Sequence, residues 1–255
     1  MKTPAFASTA VAAILSLAVS ATSAAPIVFF GEDLNPGGTV PAGGNAQTAR
    51  NSFLSNLVGV GNQTFETFAN LTSIGGAGIN INFPGSGGAI TANLSSGADP
   101  SGGGICDQTV GGTVNGIGCG FQRFATSGDN YLQNASSMTL TFSSPIAAFG
   151  FFGTDFGDFD QQVTITLENG TTEELIVDST QGGTAGGNVL FWGMIDAANS
   201  YTSITFSTTG GTDVFGFDDM VIGDRQQVVI VPEPGVLSLL SLALFALGFL
   251  RFKRK

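Results

Sequence analysis

Five stretches of this chain alternate between apolar and polar residues over three to five positions. Ile79, Ile81 and Phe83 enclose Asn80 and Asn82, and Ile90, Ala92 and Leu94 enclose Thr91 and Asn93. Met138, Leu140 and Phe142, then Val163, Ile165 and Leu167, alternate with threonines, and Ile204 and Phe206 flank Thr205. A period of two fits a strand with one buried face, and it does not fit a helix. Gly, Asn and Ser separate the runs, and Glu168-Asn169-Gly170 has the positive-φ tolerance a tight hairpin needs. Many short strands joined by turns predict an all-β fold, an antiparallel β-sandwich or jelly roll. Ile146–Phe152 and Val189–Ile195 are apolar on both faces and are read as central strands. Trp192 lies in the second and is read as core. Ile27–Phe30 reads as an opening strand. One short helix is predicted over 46–58, where Ala49, Phe53, Leu54 and Leu57 recur at helical spacing behind a candidate cap, Asn45. The threonine pairs 139/141 and 164/166 read as ordinary β-formers on a solvent face.

The chain has 38 Gly and 22 Phe but no His. From Ala25 to Val231 it carries 18 Asp and Glu against three basic residues, Arg50, Arg123 and Arg225, a balance of −15. Such a surface repels phosphate backbones, so nucleic acid is excluded as a partner. It keeps an extracellular protein dispersed and can attract cations. Two cysteines, Cys106 and Cys119, sit in a Gly-rich stretch; in an oxidising compartment an even pair predicts a disulfide.

Without His, Ser-His-Asp and Cys-His nucleophiles and His-Glu zinc hydrolases are ruled out. An Asp/Glu pair of the glycosidase kind is the one enzyme reading left, and acid-rich composition alone supplies such pairs. The expectation is a non-enzyme, with an extracellular carbohydrate-active enzyme as the alternative. The densest acidic cluster is Asp155, Asp158 and Asp160 around Gly157. A second holds Asp213, Asp218 and Asp219, and Glu32 or Asp33 would join Asp218 and Asp219 if the first and last strands were neighbours. Carboxylates so spaced can converge on Ca2+, which takes six to eight oxygens. The alternative is solvated loops and acidic strand ends.

Both chain ends carry transport chemistry. Lys2, an apolar core at Ala10–Val19 and the small residues Thr22-Ser23-Ala24 predict a signal peptide over 1–24, cut by signal peptidase. A domain over 25–227 follows, then a tail over 228–255. In the tail, Val231-Pro232-Glu233-Pro234 precedes the uncharged run Gly235–Leu250 and the basic end Arg251, Lys253, Arg254 and Lys255. Sixteen helical residues span about 24 Å against a hydrocarbon core of ~30 Å. Adding Phe252 and letting Arg251 and Lys253 snorkel predicts a transmembrane helix over about 235–252, its basic end cytoplasmic.

The combination at Val231–Lys255 resembles the PEP-CTERM sorting signal of Gram-negative bacteria. The resemblance covers about a tenth of the chain. It implies export through the inner membrane, transient anchoring there, and recognition of the tail by an exosortase. It also implies a cell-surface or extracellular setting of exopolysaccharide, biofilm or floc. The alternative is a C-terminal anchor that is never cleaved. The stretches "AFGFFGTDFGDF" (Ala148–Phe159) and "DVFGFDDMVIG" (Asp213–Gly223) are similar to β-sandwich domains that often precede such tails, and carry no assigned activity.

Overall fold

The computed structural model describes residues 25–96, 103–135, 137–157, 161–167, 170–180, 187–208 and 214–229. The leader 1–24, the sorting motif at 231–234, the span 235–252 and the basic tail lie outside the described residues, as do Asp158 and Asp160. Among the described residues, no helix is long and apolar enough to cross a membrane.

The order is β1 (Ile27–Leu34), α1 (Asn45–Leu54), β2 (Asn62–Gln63), β3 (Ile79–Phe83), β4 (Ile90–Ser95) and β5 (Gly104–Asp107). A small hairpin follows, β6 (Thr113–Val114) and β7 (Ile117–Gly118), then β8 (Asn130–Ala135), β9 (Met138–Ile146) and β10 (Ala148–Thr154). The remainder is β11 (Gln161–Leu167), β12 (Thr172–Ile176), β13 (Asn188–Ile195), β14 (Tyr201–Thr208), β15 (Val214–Gly223) and a 3-10 turn, Arg225–Gln227. All pairings between these strands are antiparallel. One sheet runs β1-β13-β10-β15-β8-β5, with β2 added beside β15; the other runs β12-β11-β14-β9-β4-β3.

The alternation is realised in β3, whose residues are in turn buried and exposed, and in β4 and β9. The predicted hairpin is present, β11 returning as β12 with Thr166 opposite Thr172. On the solvent side of the second sheet Thr139 and Thr205 hydroxyls meet at 3.0 Å. The apolar sides of both sheets form one core, with Phe149, Phe151, Trp192, Phe215 and Phe217 from the first and Leu94, Leu140, Ile204 and Phe206 from the second. The Phe151 and Phe217 rings stack at 4.4 Å, and Phe206 meets Phe151 edge-on at 5.1 Å.

Trp192 is fully buried, as expected of a core residue, and its indole N–H finds no partner among the described residues. An unpaired buried donor is a cost the ring's burial must outweigh. Trp192→Phe is therefore expected to shift stability by less than about 1.5 kcal/mol, whereas Trp192→Ala costs about 3–5 kcal/mol. Urea titrations of the two variants measure the contrast.

Both segments read as central, β10 and β13, are inner strands. Their second face is covered by α1, whose Ala46, Ala49 and Phe53 join Phe152, Phe191 and Val189 in a separate apolar layer. Glycine makes this approach feasible. A Cβ at Gly31 would lie 2.2 Å from the Asn45 carbonyl oxygen, so only a glycine lets the helix start against β1. Gly150 and Gly193 face each other across β10 and β13 and leave a hollow filled by the Phe53 ring.

The helix departs from expectation at both ends. It ends at Leu54, short of Val58. Gly44 occupies the cap position and Asn45 is the first helical residue. The cap is supplied from β1, where the Asp33 carboxylate accepts from the amides of Asn45 (2.9 Å) and Ala46 (3.0 Å). An acid at a helix N-terminus meets both its unpaired N–H groups and its positive dipole end.

Candidate functional site

Strand register defines two ends of the first sheet. Ile27, Ile195, Ala148 and Gly223 form a row at one end. Asp33, Val189, Thr154, Gly216, Gln133 and Gly104 form a row at the other. Of the acidic residues singled out by sequence, Glu32, Asp33, Asp155, Asp218 and Asp219 lie in or beside the second row or on β15, each with its own partners, and Asp213 lies outside the described residues with Asp158 and Asp160.

Asp155 follows β10 with a positive φ of 54°. Its carboxylate accepts from Arg123 Nη1 at 3.1 Å, an ion pair with side chains 7% and 11% exposed. Arg123 also donates to Gln133 Oε1 (2.9 Å), to the Gly118 carbonyl (3.1 Å) and to the Val214 carbonyl (3.3 Å). One guanidinium thus ties the Cys119 loop, β8, β15 and the end of β10. A buried pair of this kind is costly to break on one side only, because the survivor stays charged in a poorly solvated place.

Asp218 and Asp219 sit together because β15 bulges. Asp218 faces Phe152 and Val221 faces Gly150, so two residues, Asp219 and Met220, stand opposite Phe151. Asp219 has a φ of 51°. Both carboxylates grip the loop at Thr126 and Ser127. Asp218 Oδ2 accepts from the amides of Thr126 (2.9 Å) and Ser127 (3.2 Å), and the Thr126 hydroxyl donates at 2.7 Å to Asp219 Oδ2. The Ser127 hydroxyl and the Asn62 amide complete Asp219 Oδ1. Asp218 is 1% exposed and its Oδ1 has no partner among the described residues. Burial, and then the neighbouring Asp219 charge, push its carboxyl up to about 7.

Glu32 and Asp33 do not join this pair, which corrects the expectation. The reason is topological: β1 lies at the sheet edge beside β13, with β10 still between β13 and β15. Asp33 caps α1, as described. Glu32 accepts from the Ser179 hydroxyl (2.8 Å), from the Thr180 amide (2.9 Å) and hydroxyl (2.6 Å), and from the Asn188 side chain (2.5 Å). Among the described residues, no three His, Cys, Asp or Glu side chains gather as a metal-binding group. Of the five proposed calcium ligands, Asp155 is paired with arginine, Asp218 and Asp219 hold a loop, and Asp158 and Asp160 lie outside the described residues.

Cys106 and Cys119 form a disulfide with 5.7 Å between their Cα atoms. It fastens the β6–β7 hairpin to β5, beside buried Val114 and Tyr131, whose hydroxyl accepts from the Gly120 amide at 2.8 Å. The glycines of this stretch admit a two-residue turn, with Asn115 and Gly116 at positive φ. Reduction is expected to lower stability by about 3 kcal/mol in the chain-entropy view of a loop this short. Thermal melts with and without reductant check it, a Cys106→Ser/Cys119→Ser protein serving as the control that reductant leaves unchanged.

Arg123 and Asn188 are functional-looking hubs that sequence reasoning passed over. Neither belongs to a motif; each has partners 32 or more residues away, and only Arg123's rarity as one of three basic residues in the domain marked it. No protein-family model matches this sequence, and no curated protein matches it.

Proposed function

We propose that this chain is an exported envelope protein, made as an inner-membrane-anchored precursor and fixed at the surface or released once its tail is processed. The observation that carries this reading is the tail itself: Val231-Pro232-Glu233-Pro234, an uncharged run of sixteen residues and a basic end, in a chain that opens with an export leader. The acidic body, with one Lys-free stretch from Thr3 to Phe252, suits a solvated exterior. The Cys106–Cys119 disulfide suits an oxidising compartment.

In this reading the domain acts by binding or as structural material in an exopolysaccharide matrix, and performs no catalysis. The absence of His and the pairing of Asp155 with Arg123 favour it over a carboxylate-based hydrolase. Signal peptidase and an exosortase are its processing partners, and Ca2+ is the cation to test alongside the glycan.

The test is processing in the native host. Substituting Pro232, Glu233 and Pro234 together by alanine is expected to leave leaderless but tail-bearing chains in the inner membrane. Unchanged release of the same mature product would contradict an exosortase-read signal. Mature protein from the parent strain, incubated with host exopolysaccharide with and without Ca2+, is expected to co-sediment with it; cleavage of the polymer would favour the enzyme reading instead.

A further inference from the structure

Both ends of the described domain leave from the same side. Ile27, the third residue past the predicted leader, stands in the register row with Ile195, Ala148 and Gly223. Past Gly223 the chain makes the 3-10 turn, and Val228 packs into the apolar layer of α1 beside Ala148, Ile195 and Val221. The Val229 amide donates to the Asn56 carbonyl (2.9 Å), the Val58 amide donates to the Gln227 carbonyl (2.9 Å), and Leu57 pairs with Val228. The exit is braced further. Asp224 accepts from the Ser86 amide and hydroxyl, both at 2.7 Å, and Arg225 donates to the Ala198 carbonyl at 2.6 Å.

Five residues, 230–234, separate Val229 from the apolar run. Fully extended they reach about 20 Å at most. An anchored domain therefore keeps this end within about 20 Å of the bilayer.

We infer that the precursor stands on the membrane with the Ile27/Ile195/Ala148/Gly223 end toward the lipid and the Asp33/Val189/Thr154/Gly216 end outward. The near end is thus a lipid-facing surface, and the outward end is the one that meets polymer before processing. This rests on the membrane-anchor reading above.

The test uses full-length protein in phospholipid vesicles containing an acceptor-labelled lipid, with a donor dye on one introduced cysteine. Ala197→Cys marks the near end and Thr39→Cys the outward loop; both positions are exposed, and the native cysteines are paired. Energy transfer to lipid from Ala197→Cys is expected to exceed that from Thr39→Cys at least about twofold, given strands that set the ends about 20 Å apart. Equal or reversed transfer in protein that floats with the vesicles overturns the orientation alone. Protein that fails to float overturns the anchor reading, and the orientation with it.

Discussion

Replacing Asp218 with asparagine is expected to stabilise the domain at pH 8 and to flatten its stability between pH 4 and pH 8. In the unfolded chain this carboxyl titrates near 3.8; in the fold, burial and then Asp219 push it up to about 7. Between those values the folded protein holds a proton that the unfolded chain has released, so protonation favours folding. The contribution is complete below 3.8 and is lost as pH rises through about 7. At about 1.4 kcal/mol per pH unit the difference between the two values is worth about 4 kcal/mol. Asparagine keeps an oxygen for the amides of Thr126 and Ser127 and never ionises. Asp196 and Asp224 work in the opposite sense. Burial opposes their ionisation, but hydrogen bonds, chiefly from Tyr201 to Asp196 and from Ser86 to Asp224, hold both carboxyls below the ordinary value. Their contributions are present above 3.8 and lost as pH falls below it. The parent is therefore expected to be most stable between about pH 4 and pH 6, and the variant to keep that stability to pH 8. Urea titrations across this range measure both; parallel curves for parent and variant would show that Asp218 is ionised in the fold at every pH tested.

The second large effect concerns α1. Its ten residues have no acid in the first turn and no base in the last, so the helix depends on Asp33 and on burial for its stability. Phe53 is fully buried over Gly150 and Gly193, against the Phe191 ring at 5.4 Å. Phe53→Ala is expected to cost about 3–5 kcal/mol, the loss of a large buried ring with a residual cavity. Gly193→Val fills the hollow instead: its Cβ alone would stand 3.0 Å from Phe53 Cδ2 and 3.0 Å from Phe191 Cε1, in a strand with no room to move. Both variants are expected to speed amide exchange throughout 45–54 while leaving β9 and β14 protected. Unaltered exchange in α1 would mean that the helix is held by something other than this contact.

What the sequence disclosed and what it hid divide along physical lines. Alternation exposed β3, β4 and β9, because each has one wet and one dry face. Two-sided apolarity exposed β10 and β13, which lie between the core and α1. β8 was invisible. Its Asn130, Gln133 and Asn134 look like loop residues, yet they are buried because Phe65, Phe68, Ile117 and Gly103 offer backbone partners from other segments. Glu32 and Asp33 lie apart from Asp218 and Asp219 because two strands stand between β1 and β15, and the arginine that holds Asp155 is 32 residues away. Asp33 shows the same limit, since a helix cap supplied from a neighbouring strand leaves no local signature.

The reading as a whole turns on whether the body leaves the cytosol and loses its hydrophobic handle. Intact mass of the protein recovered from the native host's envelope and culture fluid measures that directly. The account predicts a species cut after Ala24, shortened near Pro232 and carrying no free thiol, with the Cys106–Cys119 bond intact. A full-length chain, uncut at both ends and dissolved in the cytosol, would contradict it.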